Sequence, residues 1–552
     1  MRLGIDVGGT HTDAVLFHEG TCISSAKVLT RHNHLISSIR SALAHILRDA
    51  RPEQISRLNL STTLCTNAIV ENKMEPVGML VSSGPGLGRE HCTIGLDFHF
   101  LSGSIDHRGR EIVPLQDDEV RRAVKDCLAK GIRVFGAVSK FSTRNPGHEL
   151  LLREALGKEA DFVTMGHALS GNLNFPRRVF TSYYNSAVWR IYNGFLDAVL
   201  QTLKEFGISC TVNAVKADGG TCPLPISRSR LVQSIFSGPS ASIMGIMALS
   251  PVKDDAIVLD IGGTTTDIAV FASGIPLLEP EGTILESRPT LVRALKARSI
   301  GIGGDSALTK SNGILQIGPK RYGPPVAAGG SVPTLTDAMN VLGIAQFQDV
   351  QASRKTLLDL SGSMEKAHAL AAEALKLATK QIFQATMDFL REINEQPVYT
   401  LLELLERDQI APTRVVVMGG PAQALVEPLQ DLFRLPVELP PLYDRANAVG
   451  AALTRTTQVV ELYADTSRGR VFVPTTGLVR SITSDYSLSE AVAEARAVLG
   501  SMLEDLGVRI DPSEIQVTQS SSFNMVDGFA AVGKNIRVKC QTVPGVVRTL
   551  VS

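Results

Sequence analysis

Two eight-residue stretches carry most of the chemistry legible in this chain: Asp6-Val7-Gly8-Gly9-Thr10-His11-Thr12-Asp13 and Asp260-Ile261-Gly262-Gly263-Thr264-Thr265-Thr266-Asp267. They agree at six of eight positions, and each follows a short apolar run. Glycines without Cβ atoms let a backbone approach a ligand, consecutive N–H groups form an anion-binding concavity, and threonine hydroxyls add donors. That set suits a polyphosphate. A carboxylate at the strand end faces a phosphate without cost only if a cation stands between them, and hard oxygen ligands hold Mg²⁺ well. Either stretch alone reads equally as a tight Gly-Gly hairpin with Asp and Thr as turn formers. Finding it twice, each time at a strand end, favours the phosphate reading.

Two weaker signals accompany the pair. Ser299-Ile300-Gly301-Ile302-Gly303-Gly304-Asp305-Ser306 is a third glycine-rich turn, and Gly419-Gly420-Pro421 follows the apolar run Val415–Met418. A bare Gly-Gly-Pro is more often a turn than a nucleotide contact. Four such turns on alternating strand and helix units are nevertheless what a cleft between two similar domains needs.

The elements that must hold these turns follow from periodicity. Arg2–Ile5 predicts a strand that returns through Ala14–Phe17, and Ala256–Leu259 with Ile268–Phe271 repeats that hairpin in the second half, which makes an internal repeat. Helical spacing predicts helices over Asn33–Ala50, Asn145–Leu156 and Met364–Ile393, and one long helix over Ser182–Phe206 closed by Gly207. Pro76–Ser82 and Gly131–Val138 read as strands. After about Tyr463 the pattern changes to short strands around Val471, Val479 and Ile515–Val517 with a helix over Leu488–Leu506, predicting a separate small domain.

The chain has 552 residues, 44% hydrophobic and 20% charged, so several folded domains are expected rather than a disordered segment. Lys plus Arg equals Asp plus Glu at 55 each, which removes the electrostatic reason to expect nucleic acid or an anionic membrane as partner. The opening Met1-Arg2-Leu3-Gly4-Ile5-Asp6 shows no secretory pattern, and no apolar run is long enough to span a bilayer. Seven cysteines form neither a CxxC pair nor a tight framework, so the expectation is a reducing, cytoplasmic setting.

The paired Asp-x-Gly-Gly-Thr-x-Thr-Asp loops and the later Gly-Gly turn resemble the acetate and sugar kinase, Hsc70 and actin superfamily. The fuller pattern resembles its hydantoinase A and oxoprolinase branch. It runs through Thr62-Thr63 with Thr66-Asn67-Ala68, Asn145-Pro146-Gly147-His148-Glu149, Asp218-Gly219-Gly220, Ser237-Gly238-Pro239, the Asp260 loop, Ile300–Ser306 and Pro333-Thr334-Leu335-Thr336-Asp337-Ala338. The resemblance covers residues 1 to about 455.

It implies an α/β fold of two ribonuclease H-like (actin-like ATPase) domains around a nucleotide cleft, with a small α+β C-terminal domain. The expected division is 1–180, 181–462 with an insertion, and 463–552. It further implies ATP with Mg²⁺, or Mn²⁺ as the alternative, and ATP-dependent opening of a cyclic amide such as a hydantoin or 5-oxoproline through a phosphorylated carbonyl. By the same resemblance Asp6 and Asp260 would hold the metal, with Asp13 and Asp267 as further catalytic candidates. Gly8, Gly9, Thr10, Thr12, Gly262, Gly263, Thr264 and Thr265 would cradle phosphates, and Gly303, Gly304, Asp305, Gly419 and Gly420 would meet the nucleoside. Thr62, Thr63, Asp218, Gly219 and Gly220 are the candidate substrate wall, because small residues beside hydroxyls and a carboxylate suit a polar ring; turn chemistry is the competing account.

A hydantoinase B-like second subunit is the implied partner, and a homo-oligomer stays open. Two other activities stay open as well: an ATP-dependent carbonyl or small-molecule kinase or carboxylase subunit, and an activase-like module acting on a protein. His11 stands where relatives often carry an aromatic or small residue, and Asp305 stands where glycine is usual. Asp97, His99, Asp106 and His107 suggest either a metal cluster or a solvated loop. Lys140 is a candidate phosphoryl contact or a surface charge.

Overall fold

The computed structural model describes residues 1–31, 34–279, 281–311, 314–395, 409–508, 511, 514–527, 529–547 and 550. Its first sheet is built around the strand Arg2–Val7, which pairs antiparallel with His11–His18 and parallel with Arg57–Thr62. Thr21–Leu29 extends one side, and Thr211–Val215 with Thr221–Pro223 extends the other. The second sheet repeats the plan. Ala256–Ile261 pairs antiparallel with Thr266–Ala272 and parallel with Arg414–Met418, which in turn pairs with Val437–Glu438. Counting strands within each sheet gives the order 3-2-1-4-5 in both, the third strand of the second sheet being Ile275–Pro276; the first sheet adds the short antiparallel strand Thr221–Pro223 at its edge, and in the second Ala297–Ile300 also pairs antiparallel with Thr266–Ala272. That is the arrangement of the two actin-like halves.

The register of the two hairpins is the same. Asp6 faces Asp13 and Asp260 faces Asp267 across their ladders. Each turn closes on one bond, from Gly8 N to His11 O and from Gly262 N to Thr265 O. Leu3, Ile5, Leu16, Leu259, Ile268 and Val417 are fully buried, so the apolar runs flanking the loops are core strands that hold the turns rigidly.

A four-stranded parallel sheet (Gly78–Ser82, Asp97–Phe100, Val134–Ser139 and Phe162–Met165) is inserted in the first half. Strands of the first sheet thus lie on both sides of residue 180. The C-terminal sheet begins at Val459–Asp465 and carries Arg470–Val473, Leu478–Ser481, Ile515–Asp527 and Ala530–Thr542, backed by the helix Leu488–Asp505. Its last two strands, thirteen residues each, form a long hairpin where the sequence reading expected a short strand.

The expected single helix over Ser182–Phe206 is instead two, Phe175–Ala187 and Trp189–Glu205. The cause is tertiary. Glu75 N takes the Ala187 carbonyl at 3.0 Å, and the Glu75 carboxylate accepts from Arg190 N at 2.9 Å, so residue 75 terminates one helix and caps the next. The helix expected over Asn33–Ala50 spans Leu35–Ile46; Asn33 lies outside the described residues.

The two halves meet through one helix from each, Ser237–Leu249 and Ala446–Leu453. They cross at reciprocal glycines. A Cβ on Gly245 would lie 2.0 Å from Ala446 O, and one on Gly450 would lie 1.8 Å from Ala241 O. Only glycine permits this approach, despite its cost of about 1 kcal/mol in a helix relative to alanine. Gly450→Ala is therefore expected to lower stability by at least about 1–3 kcal/mol, read as a fall in calorimetric Tm. A variant as stable as the parent would show that the backbones are not in contact.

Among the described residues, no helix is long and apolar enough to cross a membrane.

Candidate functional site

The two loops face each other. A Cβ built on Gly263 would lie 3.2 Å from Thr10 Oγ1 of the first loop and 3.1 Å from Asp305 Oδ2 of the third turn. That third turn is fastened to the second loop by Gly304 N to Gly262 O at 3.0 Å and Asp305 N to Gly263 O at 2.6 Å. Gly419 joins from below at φ 97°, with the position of a Cβ only 3.0 Å from Asp260 Oδ1. Residues from four separate turns thus converge where the two halves meet.

The reading of the amides divides these residues. Gly304 N and Asp305 N are spent on the second loop. Among the described residues, the amides of Gly9, Thr10, Gly263 and Thr264 have no hydrogen-bond partner, and a Cβ at Gly9 or Gly420 would meet open space. Free backbone donors of this kind are able to receive an anion. Thr265 is partly exposed beside them. Thr12 is not placed so: it is fully buried, and its hydroxyl pairs with Thr30 at 3.0 Å.

The crossing helices hold the two strand-end acids, each helix reaching the acid of the opposite half. Asn447 donates to Asp6 Oδ2 at 2.6 Å and to Asp13 Oδ2 at 3.2 Å. Ser242 donates to Asp260 Oδ2 at 2.5 Å. Ser242 stands three residues before Gly245 and Asn447 three before Gly450, so the pair obeys the same pseudo-symmetry as the glycines. Neither residue was singled out from the sequence; the Ala-polar-x-x-Gly spacing shared by the two helices is the signal that could have found them.

Electrostatics mark the acids as strained without a cation. Burial, with the charges of Asp13 and Asp260, lifts Asp6 to about 6, against the polar neighbours Ser61 and Asn447. Burial also raises Asp260, opposed by the Ser242 hydroxyl. Burial and then the Asp260 charge raise Asp267 to about 7. Lys27 neutralises Asp13 through contacts of 3.0 and 3.1 Å. Arg321 donates to Asp305 at 2.8 Å, so the acid standing at a usual glycine position is paired and not aimed bare at a phosphate. His11 is half-buried in the first loop, its pKa lowered by burial and by the Lys27 charge.

A divalent cation fits this geometry. Asp6 Oδ1 is buried with no hydrogen-bond partner, beside a second carboxylate of raised pKa. Among the described residues, no group of three or more His, Cys, Asp or Glu could hold a metal alone. An ion such as Mg²⁺ is commonly held by only one or two carboxylates, with phosphate oxygens and water completing its shell. Asp97, His99, Asp106 and His107 form no such group: Asp97 pairs with Lys130, His99 contacts Cys127, and Asp106 accepts two loop amides.

The remaining candidates separate. Thr62 and Thr63 sit at the end of their strand beside Val7, where Ser237 Oγ donates to Thr62 O at 2.9 Å and Thr63 N to Val7 O at 3.2 Å. Asp218 does not join them; with Gly219 and Gly220 it forms a tight buried turn, and its side chain lines a different cavity. Lys140 donates to Pro85 O. The Asn145–Glu149 stretch is a buried brace: Glu149 accepts from Ser139 N and His167 N at 2.9 Å each, and from His167 Nδ1 at 2.5 Å. A pocket of about 520 Å³ opens beside the second loop, with Asp267 and Ser299 on one wall and Phe236, Pro239 and Ser240 on another. Its size is that of a small-molecule site.

Comparison with known proteins gives matching family models for most of the chain: hydantoinase/oxoprolinase over residues 178–460, and hydantoinase/oxoprolinase N-terminal region over residues 2–160. The alpha subunit of caprolactamase from Pseudomonas jessenii is 29% identical over 381 residues, covering 62% of this chain and 54% of that one. The acetophenone carboxylase gamma subunit of Aromatoleum aromaticum is 23% identical over 392 residues, covering 62% and 53%. The chain thus spans about half the length of these curated relatives. Among solved structures, nucleotide-free acetone carboxylase, an enzyme of ATP-dependent acetone carboxylation, superposes with a TM-score of 0.73 at 16% identity, covering 99% of this chain and 87% of that one.

Proposed function

Because the chain belongs to the hydantoinase/oxoprolinase family, we propose that it is the ATP-using part of an enzyme that activates a small carbonyl compound, a cyclic amide in the first instance, by phosphorylating its oxygen. The observation that carries this reading is the facing of the two acidic Gly/Thr loops where the halves meet, Thr10 against Gly263, with Asp6 and Asp260 held crosswise by Asn447 and Ser242.

In this reading Asp6 and Asp260 hold a divalent cation, with Mg²⁺ favoured over Mn²⁺. The ion would neutralise phosphate charge and orient the transferred group. The free amides of Gly9, Thr10, Gly263 and Thr264, with the hydroxyls of Thr10, Thr264 and Thr265, receive phosphate oxygens, while Gly8 and Gly262, whose amides close the turns, shape the loops that present them. Gly303, Gly304 and Gly419 shape the wall on which the nucleoside rests, and open Gly420 leaves it room. The cyclic amide occupies the pocket beside Asp267, with Thr62 and Thr63 steadying the first loop from behind.

The lactam oxygen bonds to the γ-phosphorus as the bond to the ADP oxygen breaks. Water then adds to the former carbonyl carbon, giving its proton to a base. The ring nitrogen leaves with a proton, and a second water splits the resulting acyl phosphate into carboxylate and phosphate. Asp267 is the carboxylate common to the loop and the pocket wall, and burial has moved it toward the pKa a general base needs near neutrality.

The match to a caprolactamase subunit supports the cyclic amide. A second reading, phosphorylation of a ketone's enol oxygen ahead of carboxylation, is supported by the similarity to the acetophenone and acetone carboxylases. The test is ADP release by the purified chain with Mg²⁺, alone and with a second subunit, across a panel of lactams, hydantoins and ketones. At least about tenfold stimulation by a cyclic amide with a ring-opened product is expected. Stimulation by ketones alone would transfer the assignment to the carboxylase reading, and no ATP turnover under any condition would sink both.

A further inference from the structure

Away from the loops, a partly enclosed cavity of about 90 Å³ lies where the first half, the segment Leu291–Arg293 and the C-terminal unit meet. Water needs about 10–15 Å³ in this measure, so the space admits several waters or one small ion. None of the phosphate-loop residues lines it.

Its charges do not balance. Four cations reach it, Lys216, Arg230, Arg293 and Lys539, against two carboxylates, Asp218 and Glu461. Asp218 is already satisfied by Lys216 Nζ at 3.1 Å and Gly220 N at 3.0 Å. The Lys216 and Arg293 charges overcome the upward pull of burial and hold it ionised. Glu461 is paired with Lys539 at 3.4 Å. That leaves two guanidinium groups. Arg230 donates to Thr475 O at 3.2 Å and has no carboxylate within ion-pair distance among the described residues. Arg293 comes no nearer than 4.0 Å to Asp218, and both its terminal nitrogens are buried without a hydrogen-bond partner.

The orphaned atoms agree in kind. Beside the two Arg293 nitrogens, Gln458 Nε2 and Thr475 Oγ1 are also buried and unpartnered, and Gln458 is only 4% exposed. Three of these four are obligate donors. Glu461 Oε2, a pure acceptor, is also buried and unpartnered and lines the same space. Buried donors carrying unmatched positive charge are costly unless something supplies the acceptors and the charge, and the flat fork of arginine suits an oxyanion.

We propose that this cavity binds a small oxyanion, a carboxylate or phosphate, through Arg293 and Arg230, with the Gln458 amide and the Thr475 hydroxyl completing its coordination and Glu461 accepting from a protonated or N–H group of the ligand. The site goes beyond the phosphoryl-transfer reading and does not rest on it.

The test uses the full chain without nucleotide. Malonate and inorganic phosphate are titrated separately at constant ionic strength, with sodium chloride as control, by calorimetry and thermal shift. One of the two anions is expected to bind saturably and raise Tm, which also distinguishes a carboxylate ligand from phosphate. Arg293→Met is expected to weaken that binding at least tenfold, leaving Mg-nucleotide affinity unchanged. Gln458→Leu, a milder change, should weaken binding severalfold and keeps the test decisive if Arg293→Met does not fold. Absence of any anion effect beyond the chloride control, or equal anion affinity in parent and both variants, would mean that the cavity holds water only and would overturn the proposal.

Discussion

Asp260→Ala is expected to lower ATP turnover by about two to three orders of magnitude or more while leaving the fold intact. Loss of one preorganised electrostatic group at a phosphoryl-transfer site has this scale. The fold should survive because Asp260 contributes little to it: the carboxylate is buried with a raised pKa, and its hydrogen-bond partner is the single hydroxyl of Ser242. Ladder bonds of Ala256–Ile261 to both neighbouring strands are made by backbone and persist. Mg-dependent nucleotide affinity should fall together with the rate, since the residue acts through the ion; circular dichroism and Tm should stay near the parental values. A variant that hydrolyses ATP at the parental rate would remove Asp260 from the metal role and, with it, the symmetrical assignment of Asp6.

The loops were legible because their residue types are individually unusual at a strand end and jointly repeated. An acid, two glycines and a threonine following an apolar run twice leave few other accounts, and the register of the two hairpins, acid opposite acid, follows from the turn length. What the sequence marks only by the Ala-polar-x-x-Gly spacing of two distant helices is who holds the acids. Asn447 reaches Asp6 across 441 positions, and its local setting is a short Ala-rich helix. Thr12 looked equivalent to Thr10, yet strand alternation turns it inward to Thr30. Asp218 looked like part of a substrate wall; its side chain instead belongs to a charge cluster assembled from Lys216, Arg293 and Thr457, whose common location only the tertiary fold reveals.

Secondary structure failed where partners lay far away. Nothing between Tyr184 and Tyr192 breaks a helix by propensity; Glu75, over a hundred residues earlier, does so by taking one end's carbonyl and capping the other's amide. The run Gln519-Ser520-Ser521-Ser522 reads as loop on composition. It is strand because Arg537, Val538 and Lys539 supply a ladder opposite it, an instance of context overriding β-propensity. The 3-2-1-4-5 order was not legible in the same way: the first sheet's strands Thr21–Leu29, Arg57–Thr62 and Thr211–Val215 carry no clear alternation, and the strands read at Pro76–Ser82 and Gly131–Val138 belong to the inserted sheet.

Asp6→Asn is expected to lower turnover on the same scale as Asp260→Ala and, in the protein free of nucleotide and metal, to raise stability at neutral and alkaline pH. The sign follows from the direction of the pKa change. Asp6 is lifted in the folded chain from 3.8 to about 6, chiefly by burial. Its contribution to folding is therefore fully present below about pH 4 and is lost as pH rises through about 6. A displacement of about two pH units corresponds to a penalty of up to about 3 kcal/mol above that window. Asparagine keeps an oxygen for Asn447 and carries no charge to desolvate. The variant should match the parent near pH 4, gain on it between pH 4 and 6, and stay ahead by about 1–3 kcal/mol at pH 8 in chelator. Adding Mg²⁺ and nucleotide should close the gap by stabilising the parent alone, because only the parent carboxylate gains a cation. Denaturation at pH 4, 6 and 8 measures all of this; a parent as stable as Asp6→Asn at pH 8 without metal would mean that the acid is already neutralised within the chain and has no need of an ion.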